Sequence, residues 1–233
     1  MKISIQKFIP AWLLRWYKII TMRFSKFKNM STREVFTVIY DTNNWRSPES
    51  ISGIGSERKQ TEILIKELGK LLNDLNTTSL LDIPCGDLSW MQKIDLSKIN
   101  YTGADIVEEL IEKNKEKYKG KSNFEFKVLN LINDRLPESD IIIVRDCFVH
   151  FSFADIFKAL ENIRSSGCKY LMTTTFTKHR VNYNITTGEW RTINLQEKPF
   201  NFQPPIFIIN ENCTEYNGKY NDKSMALWEI NKI

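Results

Sequence analysis

The sequence predicts an α/β fold built on a doubly wound parallel sheet. From residue 79 onward, short apolar segments typical of strands alternate with amphipathic helical segments. Several of these apolar segments end in an acidic residue, as strands do where an open sheet binds a ligand at its carboxyl edge. After residue 204 the alternation gives way to two strand-like segments without a helix between them, which predicts an antiparallel pair at one edge.

Two helices are expected before the sheet. The first covers residues 32–45. A loop rich in Ser, Pro and Gly follows at residues 47–56, and Ser56 is the expected N-cap of a helix running to about Asn76. Apolar residues at helical spacing give that helix a buried stripe, namely Ile63, Leu64, Leu68, Leu71 and Leu72.

The remaining elements follow the alternation. Helices are predicted near residues 89–94, 107–118 and 153–166, the last with Ser152 as its N-cap and Asp155 three residues on. Strands are predicted at residues 79–84, 101–106, 124–130, 140–146, 168–176, 205–210 and 224–230.

The N-terminal segment differs in charge from the rest of the chain. Residues 1–33 hold eight basic side chains and no acid, so the remainder has 25 basic against 28 acidic residues. Residues 11–27 fit a basic amphipathic helix that either contacts an anionic membrane surface or packs on the domain or on a second copy in a homodimer. A cleaved signal is a third interpretation, disfavoured because charges interrupt the apolar run. We therefore divide the chain at residue 30, with the domain spanning residues 31–233.

The composition narrows the function classes. A body with a slight excess of acid does not predict a nucleic-acid partner. Four widely spaced cysteines and two histidines form no zinc motif, so no metal is expected and the cysteines fit reduced thiols in the cytoplasm. No apolar run is long enough to span a membrane.

The turn after the first strand, "DIPCGD", indicates a nucleotide-like ligand. It contains Asp82, Pro84, Gly86 and Asp87 but lacks the G-x-G-x-x-G that brings backbone up to a pyrophosphate. Asp105, followed by Ile106, ends the second strand, where a carboxylate can accept both hydroxyls of a ribose. NAD and S-adenosylmethionine both have that ribose, and the missing glycines favour S-adenosylmethionine. Its ammonium group needs an acceptor, either Asp82 or a backbone carbonyl.

The third and fourth strands end in further candidates. Asn130, beside Leu131, is either an adenine contact or a solvated strand end. Asp146 ends the fourth strand next to the expected methionine part of the cofactor. His150 follows four residues later and is either a general base for a hydroxyl or a structural histidine.

In this order, the motifs "LLDIPCGD", "YTGADI" and "VRDCFVHFS" resemble those of the class I S-adenosylmethionine-dependent methyltransferases. More narrowly, residues 33–230 resemble a bacterial group associated with surface polysaccharides. The residues that carry this narrower resemblance are Trp45, Glu49, Ser52, Gly53, Gly55, Ser56, Gln60, Thr61, Asn184, Gly188, Trp190, Arg191, Asn194, Pro199, Phe200, Asn201, Asn210, Glu211, Cys213, Thr214, Glu215, Asp222, Lys223, Ser224 and Trp228.

The resemblance implies a Rossmann-like sheet of seven strands with an antiparallel C-terminal edge. It also implies methyl transfer from S-adenosylmethionine, with Gly53, Gly55 and Ser56 forming a lid over the cofactor. The segment 177–205 is expected to wall the acceptor site, where a sugar or an anionic group is bound by Arg180, Trp190, Arg191 and Asn194, or alternatively by Glu211 and Glu215.

The expected function is O-methylation of a sugar or another small-molecule or glycan precursor of capsule or lipopolysaccharide, with His150 as base and Asp146 orienting either His150 or the acceptor. The expected location is the cytoplasm, at the inner face of the membrane if residues 11–27 bind lipid. The alternatives are an RNA or protein methyltransferase, a dinucleotide oxidoreductase, and a protein that binds S-adenosylmethionine without catalysis.

Overall fold

The structure is a computed structural model and describes residues 24–233. Its four helices of ten or more residues are α1 (Thr32–Asp41), α2 (Arg58–Asp74), α3 (Glu108–Tyr118) and α4 (Phe153–Arg164), and a short helical segment lies at Glu215–Gly218. Its strands are β1 (Ser79–Asp82), β2 (Asn100–Asp105), β3 (Phe124–Val128), β4 (Ile141–Val144), β5 (Tyr170–Phe176), β6 (Phe207–Asn210) and β7 (Lys223–Glu229).

The seven strands form one sheet in the order β3-β2-β1-β4-β5-β7-β6. Strands β1 to β5 pair in parallel, whereas β7 is antiparallel to both β5 and β6. The predicted doubly wound sheet with an antiparallel C-terminal edge is confirmed. Because β1 and β4 lie side by side where the strand order reverses, their carboxyl ends open into a crevice.

Both faces of the sheet are covered. The apolar faces of α2 and α3 pack on one side, around Leu64, Leu68 and Ile111, while α4 packs on the other, around Ile156 and Leu160. Burial on both faces explains why the central strand β4 is uninterrupted Ile and Val rather than an alternating pattern.

Three local predictions need correction or confirmation. The N-cap of α2 is Glu57, because Ser56 closes a 3₁₀ turn at Ile54–Ser56 instead. Ile63 is 38% exposed and lies outside the buried stripe. Ser152 does cap α4, since its hydroxyl accepts a hydrogen bond from the amide of Asp155 at 3.1 Å.

The predicted N-terminal helix lies mostly outside the described residues. At its expected end, residues 24–30 form turns rather than helix. In α1, which follows, a capping box joins Ser31 and Glu34. Phe27 packs with Val35 and Ile39, so this part of the N-terminal segment belongs to the domain.

Candidate functional site

Two connected cavities lie at the carboxyl edge of the sheet. The first cavity lies between α1 and the ends of β1, β2 and β4. The second cavity, of about 590 Å³, lies between the N-terminal turns, the 177–205 segment and the loop before β7. Four residues line both cavities and therefore mark where they meet, namely Trp45, Ser52, Asp146 and His150.

The turn after β1 holds the loop of residues 47–56 over the first cavity. Gly86 has a φ of +57°, and a Cβ there would lie 2.1 Å from Ser52 Oγ, so only glycine fits. Asp87 accepts hydrogen bonds from Ser50 Oγ at 3.0 Å and from the Ile51 amide at 3.2 Å. The turn thus anchors the loop of residues 47–56, which we call the lid loop.

The three predicted lid residues are divided between the two cavities. Ser56 lines the first cavity, and Gly53 and Gly55 line the second. Gly53 has a φ of +94°, and a Cβ on Gly55 would lie 3.0 Å from Asp146 Oδ2. The lid loop therefore passes directly over the junction of the two cavities.

Asp105 places a buried carboxylate in the wall of the first cavity. Its Oδ2 accepts from the Gly86 amide at 3.2 Å, and its Oδ1 accepts from the Val107 amide at 3.1 Å. Burial raises the pKa of Asp105 to about 6, although these amides oppose the shift. Each carboxylate oxygen keeps a further lone pair for a ligand hydroxyl.

Asp82 is placed differently from expectation. It is buried, accepts a hydrogen bond from Tyr101 Oη at 2.7 Å, and is not among the residues that line the first cavity. Burial raises its pKa to about 7. Its position favours the alternative acceptor for the cofactor ammonium, a backbone carbonyl.

The other predicted cofactor contacts line the first cavity, namely Pro84, Gly86, Asp87, Ile106, Asn130, Leu131 and Asp146. The side-chain oxygen of Asn130 accepts from the Ile132 amide at 2.9 Å, which fixes the side chain at the strand end. This bond is a local turn contact, so the role of Asn130 as an adenine contact stays a prediction.

A buried cluster of four charges lies under the junction. Arg145 binds Glu211 through two nitrogens, at 3.2 and 2.7 Å, and donates to the Gly55 carbonyl at 2.8 Å. Lys223 Nζ lies 2.6 Å from Asp146 Oδ2 and 3.4 Å from Glu211 Oε2. Two cations and two carboxylates balance, so the cluster is neutral and ties the lid loop to the sheet.

Asp146 stays ionised within this cluster. Burial alone would raise its pKa, but the Lys223 ammonium and the Arg145 guanidinium outweigh burial and hold the pKa well below its usual range. Asp146 adopts a left-handed backbone with φ of +50°, and its amide donates to Thr174 Oγ1 at 2.8 Å. A fixed negative charge therefore lies where the two cavities meet.

His150 lies beside this charge in a 3₁₀ turn, Phe148–His150. Its Nδ1 lies 3.0 Å from the Glu189 carbonyl oxygen. A carbonyl can only accept, so Nδ1 carries the proton and Nε2 is the acceptor nitrogen of the neutral ring. Burial lowers the pKa of His150 to about 4, and the ring packs against Trp45 with centroids 5.1 Å apart.

Arg191, expected to bind the acceptor, is fully buried and supports the His150 turn instead. Its guanidinium donates to the carbonyls of Phe148 at 2.7 Å and of Phe151 at 2.9 Å. The amide of Arg191 also donates to the Val149 carbonyl. These bonds bracket the turn on both sides, so Arg191 is a positioning residue for His150.

The remaining acceptor candidates divide into two groups. Trp190 and Glu215 line the second cavity. Arg180 pairs with Glu197 at 3.1 Å, Asn194 donates to the His179 carbonyl, and Glu211 belongs to the charge cluster. These three line neither cavity, and Arg180 and Asn194 brace the 177–205 segment.

Several cavity residues were not among the sequence-derived site residues. The roof of the first cavity is Phe36 and Tyr40 of α1, and Tyr220 faces the second cavity. Lys223 and Arg145 complete the charge cluster. In the sequence, Arg145 is a charge directly after the apolar strand "IIIV", and Lys223 is a charge directly before the apolar strand "SMALW" that also belongs to the residues of the narrower resemblance.

The first cavity has features that fit S-adenosylmethionine. Asp105 offers paired acceptors for ribose hydroxyls, Asn130 lies beside the apolar Leu131 for a base, and no glycine-rich pyrophosphate cradle is present in residues 79–90. Residues 81–166, which include these positions, match the family model described as "Methyltransferase domain". The domain is an S-adenosylmethionine-dependent methyltransferase.

Solved structures agree with the methyltransferase fold. Human N-acetylserotonin methyltransferase, in complex with SAM, is 12% identical with a TM-score of 0.54, and the match covers 94% of this chain and 67% of that one. The N-methyltransferase NodS from Bradyrhizobium japonicum WM9 is 12% identical with a TM-score of 0.51, covering 70% and 94%. No curated protein matches the sequence.

Within residues 24–233, no group of His, Cys, Asp or Glu side chains is arranged to hold a metal ion. No helix there is both long enough and apolar enough to cross a bilayer.

Proposed function

We propose that this methyltransferase transfers a methyl group to a sugar hydroxyl of a surface-polysaccharide precursor. The observation that carries the proposal is the position of His150, a neutral imidazole with an acceptor nitrogen at the junction of the two cavities. A base is needed there because an alcohol must lose its proton as it becomes methylated, and such a base typically contributes about 10²–10⁴-fold in rate.

When bound, S-adenosylmethionine supplies an already activated methyl group, so the chain mainly aligns the acceptor, excludes water and moves one proton. The hydroxyl proton passes to Nε2 of His150. The imidazolium so formed is stabilised by the Glu189 carbonyl, which accepts from Nδ1, and by the charge of Asp146; both raise the pKa of His150 against the larger effect of burial. The lid loop over the junction excludes water from the reacting groups.

The lining of the second cavity supports a sugar as the acceptor. Trp190 and Tyr220 present aromatic rings with centroids 5.1 Å apart, and Glu189 and Glu215 present carboxylates. Aromatic faces suit the apolar face of a sugar ring, while carboxylates accept from its hydroxyls. The resemblance of the motifs in residues 33–230 to a polysaccharide-associated group supports a capsule or lipopolysaccharide precursor.

Surface-glycan precursors are assembled at the membrane, which suggests a membrane-binding role for the basic N-terminal segment. We propose that the basic residues of the first 33 positions bring the enzyme to the anionic inner face of the membrane, where surface glycans are assembled. Each Lys or Arg near such a surface contributes about 1 kcal/mol.

The test begins with the donor and then moves to the acceptor. Calorimetric titration should show saturable binding of S-adenosylmethionine and S-adenosylhomocysteine and no binding of NADH. The enzyme and methyl-labelled S-adenosylmethionine are then incubated with nucleotide sugars, free sugars, RNA and unrelated proteins. We expect mass spectrometry to find one added methyl group on a sugar. Label that enters only RNA or protein would overturn the proposal, and donor binding without transfer to any acceptor would favour a non-catalytic protein.

A further inference from the structure

The charged side chains of the second cavity are unevenly distributed. Asp146 and Lys223 lie at its inner end and neutralise each other at 2.6 Å. Glu215 lies beside them, because a Cβ on Gly55 would lie 3.0 Å from Asp146 Oδ2 and 3.6 Å from Glu215 Oε1. The inner end of the cavity therefore has one carboxylate more than it has cations.

Glu215 is half-buried and lacks a cationic partner. Within residues 24–233, no Lys, Arg or His nitrogen lies within 4 Å of its carboxylate, and its one side-chain hydrogen bond is from Cys213 Sγ at 3.7 Å. A desolvated carboxylate that faces a cavity gains most from a ligand that donates hydrogen bonds, such as a hydroxyl or an amine.

The outer rim has the opposite character. Lys26 and Arg46 both line it and both are exposed. Lys26 Nζ donates to Asn44 Oδ1 at 3.1 Å, which brings the N-terminal turn to the segment that carries Arg46. In the described part of the chain neither cation has a carboxylate within 4 Å, and the one rim acid, Glu189, accepts instead from Ser25 Oγ at 2.7 Å.

An aromatic surface joins the two ends. Trp190 packs edge-on against Tyr220, which in turn packs edge-on against Tyr216. Tyr216 and Asn217 both adopt left-handed backbone conformations, with φ of +50° and +58°. Asparagine adopts this conformation readily, but a bulky residue such as Tyr216 does so at a cost, and such strain concentrates at binding sites.

From this arrangement we infer that the acceptor is a glycosyl phosphate or diphosphate. The phosphate binds Lys26 and Arg46 at the rim, the sugar ring lies on Trp190 and Tyr220, and a sugar hydroxyl or amine donates to Glu215. The inference rests on the proposed function and names its substrate class. The same diphosphate chemistry occurs in nucleotide-linked and lipid-linked sugars.

The test uses inorganic pyrophosphate as the probe, on the full chain loaded with S-adenosylhomocysteine. We expect saturable binding in calorimetry, weakened about tenfold or more in the double variant Lys26→Glu/Arg46→Glu because both charge-assisted contacts reverse sign. The matched control is Lys28→Glu/Lys59→Glu, which makes the same change of charge at exposed residues outside both cavities. Absence of saturable binding, or equal weakening in the two double variants, would overturn the inference.

Two further arms complete the design. Binding of UDP tighter than pyrophosphate identifies a nucleotide-linked sugar, and tighter binding of farnesyl diphosphate identifies a lipid-linked one.

The second arm uses as substrate the sugar that accepts a methyl group in the acceptor panel. With this substrate, Glu215→Gln should raise KM severalfold while kcat changes less. An unchanged KM would remove the role of Glu215. Failure of every sugar to accept methyl groups, with pyrophosphate still bound, would overturn the proposed function, whereas loss of pyrophosphate binding with a sugar still methylated would overturn the inference alone.

Discussion

The two cavities are built in different ways. The first cavity is formed mostly by strand ends, turns directly after them and one helix, so its polar groups are held by the hydrogen bonding of the sheet. The second cavity is formed mostly by segments without regular structure, drawn from residues 26–55 and 188–223. The proposed donor site therefore sits on the rigid scaffold, whereas the proposed acceptor site sits on loops, where specificity can change without disturbing the fold.

The largest expected effect is a loss of kcat on substitution of His150, which lies at the junction of the two cavities. His150→Gln should lower kcat about 10²–10⁴-fold because the acceptor nitrogen of the ring is lost. Affinity for S-adenosylmethionine should stay within a few-fold, as measured by calorimetry. His179→Gln is the matched control, since this second histidine lines neither cavity and pairs with Asp222. Equal losses in the two variants would refute the role of His150.

Asp105→Asn should act on the first cavity alone. Replacing the carboxylate removes two charge-assisted acceptors, and we expect cofactor affinity to fall about 10–100-fold. Titration of the variant with S-adenosylhomocysteine measures this directly. Asp95→Asn changes an exposed carboxylate that lines neither cavity and should leave the affinity unchanged. Full affinity in Asp105→Asn would show that the ribose is bound elsewhere.

Gly86→Ala tests whether the lid loop is tied to the turn after β1. The added Cβ would meet Ser52 Oγ at 2.1 Å and would also strain a residue with φ of +57°. We expect a loss of about 1–3 kcal/mol in the free energy of unfolding and weaker cofactor binding. In Gly120→Ala the new Cβ has no atom within 4 Å, so denaturant unfolding should show little change. Similar losses in both variants would argue against a specific contact.

The smallest effect is on the pH dependence of cofactor binding. The pKa of Asp105 is raised to about 6 by burial, and the carboxylate is the form that accepts both ribose hydroxyls. Affinity should be complete above about pH 7 and fall about tenfold by pH 5, as the carboxyl takes up a proton. Calorimetry across this range checks the slope, and Asp105→Asn should flatten it. A wild-type affinity constant from pH 7 to pH 5 would contradict the assignment.

The sequence predicts the first cavity better than the second for a physical reason. Strand ends are recognisable because an apolar run stops at an acid or an amide, as at Asp105 and Asn130, and parallel pairing then brings these positions to one edge. Asp82 ends a strand in the same way, yet its side chain does not line the first cavity and instead accepts a hydrogen bond from Tyr101 Oη. Side-chain direction at a strand end depends on the pleat, which the pattern alone does not reveal.

The 177–205 segment has no periodicity that relates residue type to position. Arg191 is charged and follows a tryptophan, so its type suggests ligand binding, but three backbone carbonyls hold it inside the protein. The charge cluster is equally hard to predict from the sequence, because its members are far apart in the chain. Arg145 directly follows β4, Glu211 directly follows β6, and Lys223 begins β7. Pairing across such distances is set by sheet topology rather than by local sequence.

The hydrogen bond between Ser25 and Glu189 joins residues 164 positions apart in the chain and links the N-terminal turn to the wall of the second cavity. During synthesis, every residue that lines the first cavity has been added to the chain by Phe151, whereas the second cavity lacks a wall until Lys223 has emerged. Long-range closure of this kind comes late in folding. The residues of the first cavity are therefore all synthesised before the last wall of the second cavity, and only Glu211 and Lys223, which emerge late, complete the charge cluster that ties the lid loop to the sheet.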